Sequence, residues 1–482
     1  MARDKIPFLS KNRFGAGLQC PKRLFLECYS PELSDPPDVS QQAVMDAGIA
    51  VGRLARQRFP GGRLIGDGYH QFRAAARATR EAIADPSVFA IYEGAFSFDG
   101  IAIRADILSR NSDGSFDLVE VKSSTSVKEE HIPDIAIQLY VVEGSRIAIR
   151  RACLLHLDNT YVYEGRSYDL DRLFLLEDVT DQARAFVRSE VPKSLREMRE
   201  ALRREEPPKV EIGRQCGNPY RCGFYRHCRA GGPEHHIEQL PRATIELLQS
   251  LLEAGIRDIR DIPEDFRGLS PAQQRVRECV VAGQSFVGAG LAATLAAVSY
   301  PVYFLDFETF NPGLPIYPGT RPYQVIPFQW SLHVRDSKGH LRHRSFLHSG
   351  ATDPRRAFST SLLKAIGSQG TIVVYSGFEE GIIRQLADTF PKHSDRLLAL
   401  CDRLLDLLAV VKTYYYHPGF HGSYSIKAVL PAVVPTMGYD DLGIQEGADA
   451  SVAFARMIGR ETSRSERRLP RPLSVVSALG LR

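Results

Sequence analysis

The segment 93–122 constrains this chain most strongly. Ala95-Phe96-Ser97-Phe98 leads into Asp99-Gly100, and Ile101-Ala102-Ile103-Arg104-Ala105-Asp106-Ile107 alternates apolar and polar positions on the way to Asp113-Gly114. Phe116-Asp117-Leu118-Val119-Glu120-Val121-Lys122 then alternates again. A period of two is that of a strand, and Asp-Gly between such runs is a tight hairpin turn, so a three-stranded meander is expected. Helical periodicity occupies 40–60 and stops at Pro60-Gly61-Gly62. Beyond the meander the pattern predicts a helix near 131–143, a strand near 149–156 and one charged helix over 179–204.

Pro207-Pro208 opens a cysteine-rich loop that ends near Gly231-Gly232-Pro233, and 242–280 reads as helical with breaks at Gly255, Pro263 and Gly268. A new domain is expected from Tyr300-Pro301, with strands at 302–308, 325–334 and 341–347, a helix at 355–367, a strand at 371–375 and a helix at 378–390. Three strands followed by alternating helix and strand is the order of an RNase H-like sheet. Val280 to Leu305 carries no charge, but its Ala/Gly content and its Gln284, Thr294, Ser299 and Pro301 argue against a membrane span. It reads as a buried helix followed by a buried strand.

At 482 residues the chain has room for roughly two to four domains. Lys+Arg of 61 against Asp+Glu of 57 excludes a histone-like protein held to nucleic acid by bulk charge, while a local basic groove stays open. The start, Met-Ala-Arg-Asp-Lys, has no apolar core of a secretory signal, and eight cysteines are too few for a disulfide scaffold. A cytoplasmic protein with no membrane partner is expected.

Four groups of residues carry candidate chemistry. On a strand, Glu120 and Lys122 project to one face, and Asp106 on the preceding strand reaches the same face. Two carboxylates suit Mg²⁺ or Mn²⁺, which polarises a phosphate and acidifies water, and a neighbouring ammonium stabilises developing charge. Cys216, Cys222 and Cys228 are separated by five residues each, with Gly217, Pro219 and Gly223 between them, so a loop wrapping a metal centre is expected. Cys20 is the obvious fourth thiolate, and four thiolates suit a 4Fe–4S cluster or a structural zinc. Asp306 and Glu308 in Leu305-Asp306-Phe307-Glu308-Thr309 share a strand face, and Glu379 follows a later strand in Tyr375-Ser376-Gly377-Phe378-Glu379. Finally, Tyr415, His417, Tyr424 and Lys427 lie in a stretch that interleaves aromatic rings with cations, a pattern suited to stacking on a single strand or to packing at a domain edge.

The Asp, then Glu-x-Lys after a hairpin, resembles the core of the PD-(D/E)XK nucleases. With one upstream and three downstream cysteines, residues 8–230 resemble the iron–sulfur nucleases, such as the CRISPR-associated exonuclease and the B subunit of bacterial helicase–nuclease complexes. That resemblance implies metal ligands at Asp106 and Glu120, a catalytic lysine at Lys122, a site glutamine at Gln138, and a cluster staple at Cys20, Cys216, Cys222 and Cys228. The chain departs from those families in its cysteine spacing, in the tight Gln138-Leu139-Tyr140, and in lacking an upstream histidine near Val51–Arg56. The later motif resembles the RNase H-like DEDD exonucleases, with Glu379 where they carry Asp. Leu18-Gln19-Cys20-Pro21-Lys22, Arg321-Pro322-Tyr323-Gln324, Phe328-Gln329-Trp330-Ser331-Leu332-His333 and Ser425-Ile426-Lys427-Ala428-Val429-Leu430-Pro431 resemble a bacterial family known by a domain of unknown function, 2779. Members end in a Tyr-Cys-x-x-Asp-Thr helix whose Asp completes the second metal site. Here no Asp follows Asp449, so a weak or dead second site is expected.

The resulting expectation is an α/β chain in four parts. A PD-(D/E)XK restriction-endonuclease-like domain with the cysteine staple spans 1–232, and a helical connector spans 233–298. An RNase H-like mixed-sheet domain spans 299–460, and an irregular basic tail spans 461–482. Its expected function is metal-dependent hydrolysis of nucleic acid, DNA in the first instance. The alternative is a non-catalytic nucleic-acid- or partner-binding protein on degenerate nuclease folds.

Overall fold

The computed structural model describes residues 6–66, 71–438 and 447–462. The chain divides into two compact units, Met1–Ala230 with Pro312–Gln324, and Gly231–Asn311 with Val325–Arg482. Both are mixed α/β.

The first unit runs β1 (Leu9–Ser10), α1 (Lys11–Gln19), α2 (Pro21–Tyr29), α3 (Val39–Ala55), β2 (Gly62–Leu64), α4 (Phe72–Ala84), β3 (Ala90–Phe98), β4 (Ile101–Arg110) and β5 (Phe116–Val121). It continues with α5 (His131–Gly144), β6 (Ile149–Leu157), α6 (Leu170–Leu173), β7 (Phe174–Asp178), α7 (Thr180–Ser189), α8 (Val191–Arg203) and α9 (Tyr225–Arg229). Strands β2 to β7 lie side by side in chain order in a mixed sheet. The meander is present, and Asp99 and Gly100 take φ of 48° and 73°, the left-handed pair an Asp-Gly hairpin uses. One edge of β4 is shared: β1 pairs with Ile101 and Ala102, and β5 pairs with residues 107–110. Between those two pairings the edge opens, and the first candidate site lies there.

Both faces of this sheet are covered. Ile103, Leu118 and Leu154 pack with Ile135 and Leu139 of α5 and Leu195 of α8. On the other face Val119, Cys153 and Leu155 pack with Val51 and Ala55 of α3. Double coverage is why the last six residues of β6, Ala152 to Leu157, are all buried. The charged helix expected over 179–204 is two helices, α7 and α8, because Pro192 in the first turn of α8 has no N–H to bond the Arg188 carbonyl four residues back and its ring clashes there.

The second unit contains α10 (Ile245–Glu253), α11 (Pro271–Ala282), β8 (Phe286–Val287), α12 (Leu291–Ala296), β9 (Val302–Phe310), β10 (Ile326–Arg335), β11 (Leu341–Leu347), α13 (Arg355–Ala365), β12 (Ile372–Val374) and α14 (Phe378–Thr389). After them come α15 (Ser394–Cys401), β13 (Leu404–Asp406), α16 (Leu407–Tyr414), β14 (Tyr415–Tyr416), α17 (Ile426–Val433) and α18 (Gly447–Thr462). Its main sheet has the order β11-β10-β9-β12-β13, antiparallel through β9 and parallel beyond it. Tyr303, Leu305 and Phe307 point into a core with Trp330, Phe358 and Ile383, which leaves Phe304, Asp306 and Glu308 on the opposite face of β9.

Two expectations change. The uncharged stretch after Val280 forms no buried helix: α11 ends at Gly283 (φ 62°), and α12 buries none of its residues. Alanine and glycine offer too little apolar area to drive burial. The tail expected to be irregular from 461 begins inside α18, which runs to Thr462, with Phe454 stacked on Phe328 at 4.1 Å. The rest of that tail lies outside the described residues. Among the described residues no helix is long and apolar enough to cross a membrane.

Candidate active sites

In the first unit, Glu120 ends its strand on the face covered by α5. That helix is apolar nearly all round, so it is buried. Asp134 and Gln138, four residues apart on it, meet the strand together. Gln138 Nε2 donates to Glu120 Oε2 at 2.7 Å, and Lys122 Nζ lies 3.0 Å from Glu120 Oε1 and 2.5 Å from Asp134 Oδ2. Asp106 joins from β4, its Oδ2 accepting from the Val121 N–H at 2.8 Å. The structure thus brings together Asp106, Glu120, Lys122 and Gln138. Opposite Asp106, Glu93 sits at φ 57°, a conformation strained for a residue with a side chain, and pairs with Arg56 Nη2 at 2.7 Å.

Sequence reading missed two members of this pocket. Asp134 carried no motif. Lys11, the first residue of α1, reaches Glu120 Oε1 at 2.6 Å from 109 positions away. Burial opposes ionisation of Glu120, but the Lys11 and Lys122 ammonium groups overcome it and hold the carboxyl well below the usual carboxylate range. Burial, reinforced by the nearby Glu120 charge, pushes Asp106 up to about 7. Among the described residues no three His, Cys, Asp or Glu side chains form a ready single-ion site. Asp106 and Glu120 are a two-carboxylate set, which fits Mg²⁺, an ion that commonly takes one or two protein carboxylates and keeps its waters.

Cys20 sits at the joint between α1 and α2, and with Cys216, Cys222 and Cys228 it lines one small cavity beside Arg23 and Phe224. Burial pushes the Cys222 thiol up, and the Cys20 and Cys228 thiols add to this. Gln19 Nε2 donates to the carbonyls of Gln215 and Tyr220 at 2.5 and 2.7 Å, tying the end of α1 to the loop. Thiolates are the ligands that zinc and iron–sulfur clusters take, and all four line one cavity, although no three of them stand as a ready metal site among the described residues. The remaining cysteines stand apart, with Cys153 fully buried in the sheet core.

In the second unit, Asp306 and Glu308 share the open face of β9, and Glu379 opens α14 after the Ser376 backbone (φ 125°) turns the chain. Glu379 is 5% exposed and its Oε2 has no partner within the protein. Gln329, paired in register with Glu308 and 1% exposed, has both amide atoms unpartnered as well. Asp449, the last aspartate of the chain, lies in α18, which packs on β9. Burial, with the Asp306 charge beside them, pushes Glu308 and Glu379 up to about 7. Asp306 is exposed on the open face of β9, so the titration is carried by the more buried Glu308 and Glu379.

A carboxyl whose folded value is raised stabilises the fold below its ordinary value, near 4.5 for Glu, and loses that contribution as pH rises through about 7. Trp330 is the only tryptophan of the chain, so its fluorescence reports on this unit. Its melting temperature is expected to fall by about 5–10 °C between pH 5 and pH 8. Millimolar Mg²⁺ or Mn²⁺ is expected to restore part of that loss at pH 8. A flat profile would count against the carboxylate cluster.

The aromatic segment packs on itself. Tyr415 pairs with Val287 across β14 and β8, and Tyr415 and Tyr424 both set their rings against Phe420. The Nδ1 of His417 accepts from the Gly419 N–H at 3.0 Å, and Lys427 is exposed on α17.

Residues 303–425 match the family model described as a domain of unknown function (DUF2779). No curated protein matches the chain. A solved structure titled "Crystal structure of SSO0001" is 14% identical, covering 42% of this chain and 78% of its own, with a TM-score of 0.22. Similarity that low carries no argument about function.

Proposed function

We propose that this protein is a metal-dependent nuclease acting on DNA, hydrolysing the phosphodiester bond in the first unit. The observation that carries this reading is the convergence of Asp106, Glu120 and Lys122, with Glu120 Oε1 3.0 Å from the Lys122 ammonium. Asp106 and Glu120 would hold Mg²⁺ or Mn²⁺, which when bound supplies polarisation of the phosphate and a more acidic water. The chain's own groups do the rest. Asp134 and Glu120 aim the Lys122 ammonium at the pocket, where it stabilises charge growing on a phosphate oxygen. Gln138 fixes the orientation of Glu120. On this reading the first unit is a PD-(D/E)XK fold stapled by a 4Fe–4S cluster, or a zinc ion, at Cys20, Cys216, Cys222 and Cys228. The second is an RNase H-like fold whose Asp306, Glu308 and Glu379 form a weak exonuclease-like site.

The test is digestion of linear single- and double-stranded DNA by the purified chain, with Mg²⁺ or Mn²⁺ and then with excess chelator. Cleavage is expected with metal only, and Lys122→Met is expected to lower it by about a hundredfold. Digestion that survives Lys122→Met and disappears in Asp306→Ala would move the chemistry to the second unit. The double pairing of Glu120 by two lysines favours a second reading, a non-catalytic module that binds nucleic acid. Salt-sensitive DNA binding with no cleavage under any metal would select it.

A further inference from the structure

Lys11 has no role in the nuclease reading, yet it occupies the centre of the pocket. Its ammonium is 2.6 Å from Glu120 Oε1, the same oxygen that Lys122 meets at 3.0 Å. Asp106 and Asp134 attract it as well. The position is electrostatically awkward for a lysine. A helix N-terminus carries partial positive charge, and α1 has no acidic residue in its first turn to offset it. The carboxylates across the pocket are what hold the ammonium there. The backbone is fixed beside them, because β1 pairs with Ile101 and Ala102 and the Ser10 hydroxyl accepts from the Arg13 N–H at 3.2 Å. The side chain is a flexible four-carbon stem, 22% exposed. Without Lys11, the buried Glu120 carboxylate would rely on the Lys122 ammonium 3.0 Å away, with Asp106 close beside it.

We propose that the Lys11 ammonium is the resident cation of the metal-free pocket, and that a divalent metal loads only by displacing it. Lys11 thereby sets the metal concentration at which the site fills. The inference rests on Asp106 and Glu120 being the metal ligands of the proposed nuclease.

The experiment is a Mn²⁺ titration of the full chain without nucleic acid, read by the electron paramagnetic resonance signal of the free aquo ion. Asp106→Asn, which should lose the binding event, assigns it to this pocket. Lys11→Met is expected to bind Mn²⁺ about tenfold more tightly than the unmodified chain, and Lys11→Arg no more tightly. Lys11→Gln keeps a hydrogen-bond donor without the charge and is expected to match Lys11→Met; circular dichroism establishes which variants are folded. Unchanged or weaker binding in the folded neutral variant overturns the role of Lys11 and leaves the carboxylate reading standing. No Mn²⁺ binding by any of the proteins overturns both.

Discussion

Glu120→Gln is expected to lower metal-dependent cleavage by at least about a thousandfold. The substitution removes one of two candidate metal ligands and the partner that orients Lys122, and removing a single preorganised electrostatic group commonly lowers rates by about 10²–10³-fold. Stability should fall too. Glu120 is 2% exposed and neutralises Lys11 and Lys122 together. Breaking a buried ion pair from one side typically destabilises by about 3–5 kcal/mol, because the remaining charge loses its counter-ion. Initial rates on linear DNA and urea unfolding of the same preparation measure the two effects. Asp117→Asn is the control. Asp117 is a largely buried acid on the same strand, but its Oδ2 meets Arg151 Nη2 at 2.5 Å and Arg150 Nη2 at 3.1 Å, away from the pocket. It should lose stability and keep its cleavage rate. If Glu120→Gln cleaves within threefold of the unmodified chain, hydrolysis does not occur at this site.

The second large effect concerns the cysteine cavity. Cys222→Ser is expected to abolish metal retention there and to lower the melting temperature of the first unit by about 10 °C or more. Structural metal centres contribute several kcal/mol of folding free energy, and each kcal/mol shifts the midpoint by about 2–4 °C in a domain of this size. A centre there would join Cys20 to residues about two hundred positions later, so its loss would free the loop from the α1–α2 joint. Elemental analysis and calorimetry of protein purified without oxygen measure both outcomes. Iron with sulfide assigns a cluster, and zinc without iron assigns a single ion. Cys153→Ser, in the sheet core, should leave the metal content unchanged. Equal metal in Cys222→Ser would detach this cysteine from any centre.

The meander was legible because its signal is local: a period of two and an Asp-Gly step act over a few residues, and the backbone at Asp99 and Gly100 follows from them. The same alternation placed Asp306 and Glu308 together on one face of β9. Longer-range features were harder to see. The helix over 179–204 was over-extended because its charge pattern continues through Pro192. The uncharged stretch after Val280 looked buried because it lacks charge, yet its small side chains had little area to hide. The aromatic segment carried a stacking pattern, but the folded chain sets Tyr415 and Tyr424 against Phe420.

Spacing along the chain was enough to nominate Asp106, Glu120 and Lys122, since neighbouring strands of a hairpin must bring such positions close. It was silent on Lys11 and Asp134. These arrive from the first helix and from the crossover helix, and nothing in their local sequence marks them. Folding decided their part, because the pull between an ammonium and a carboxylate depends on separation and on exclusion of water, and neither quantity is written in the order of residues.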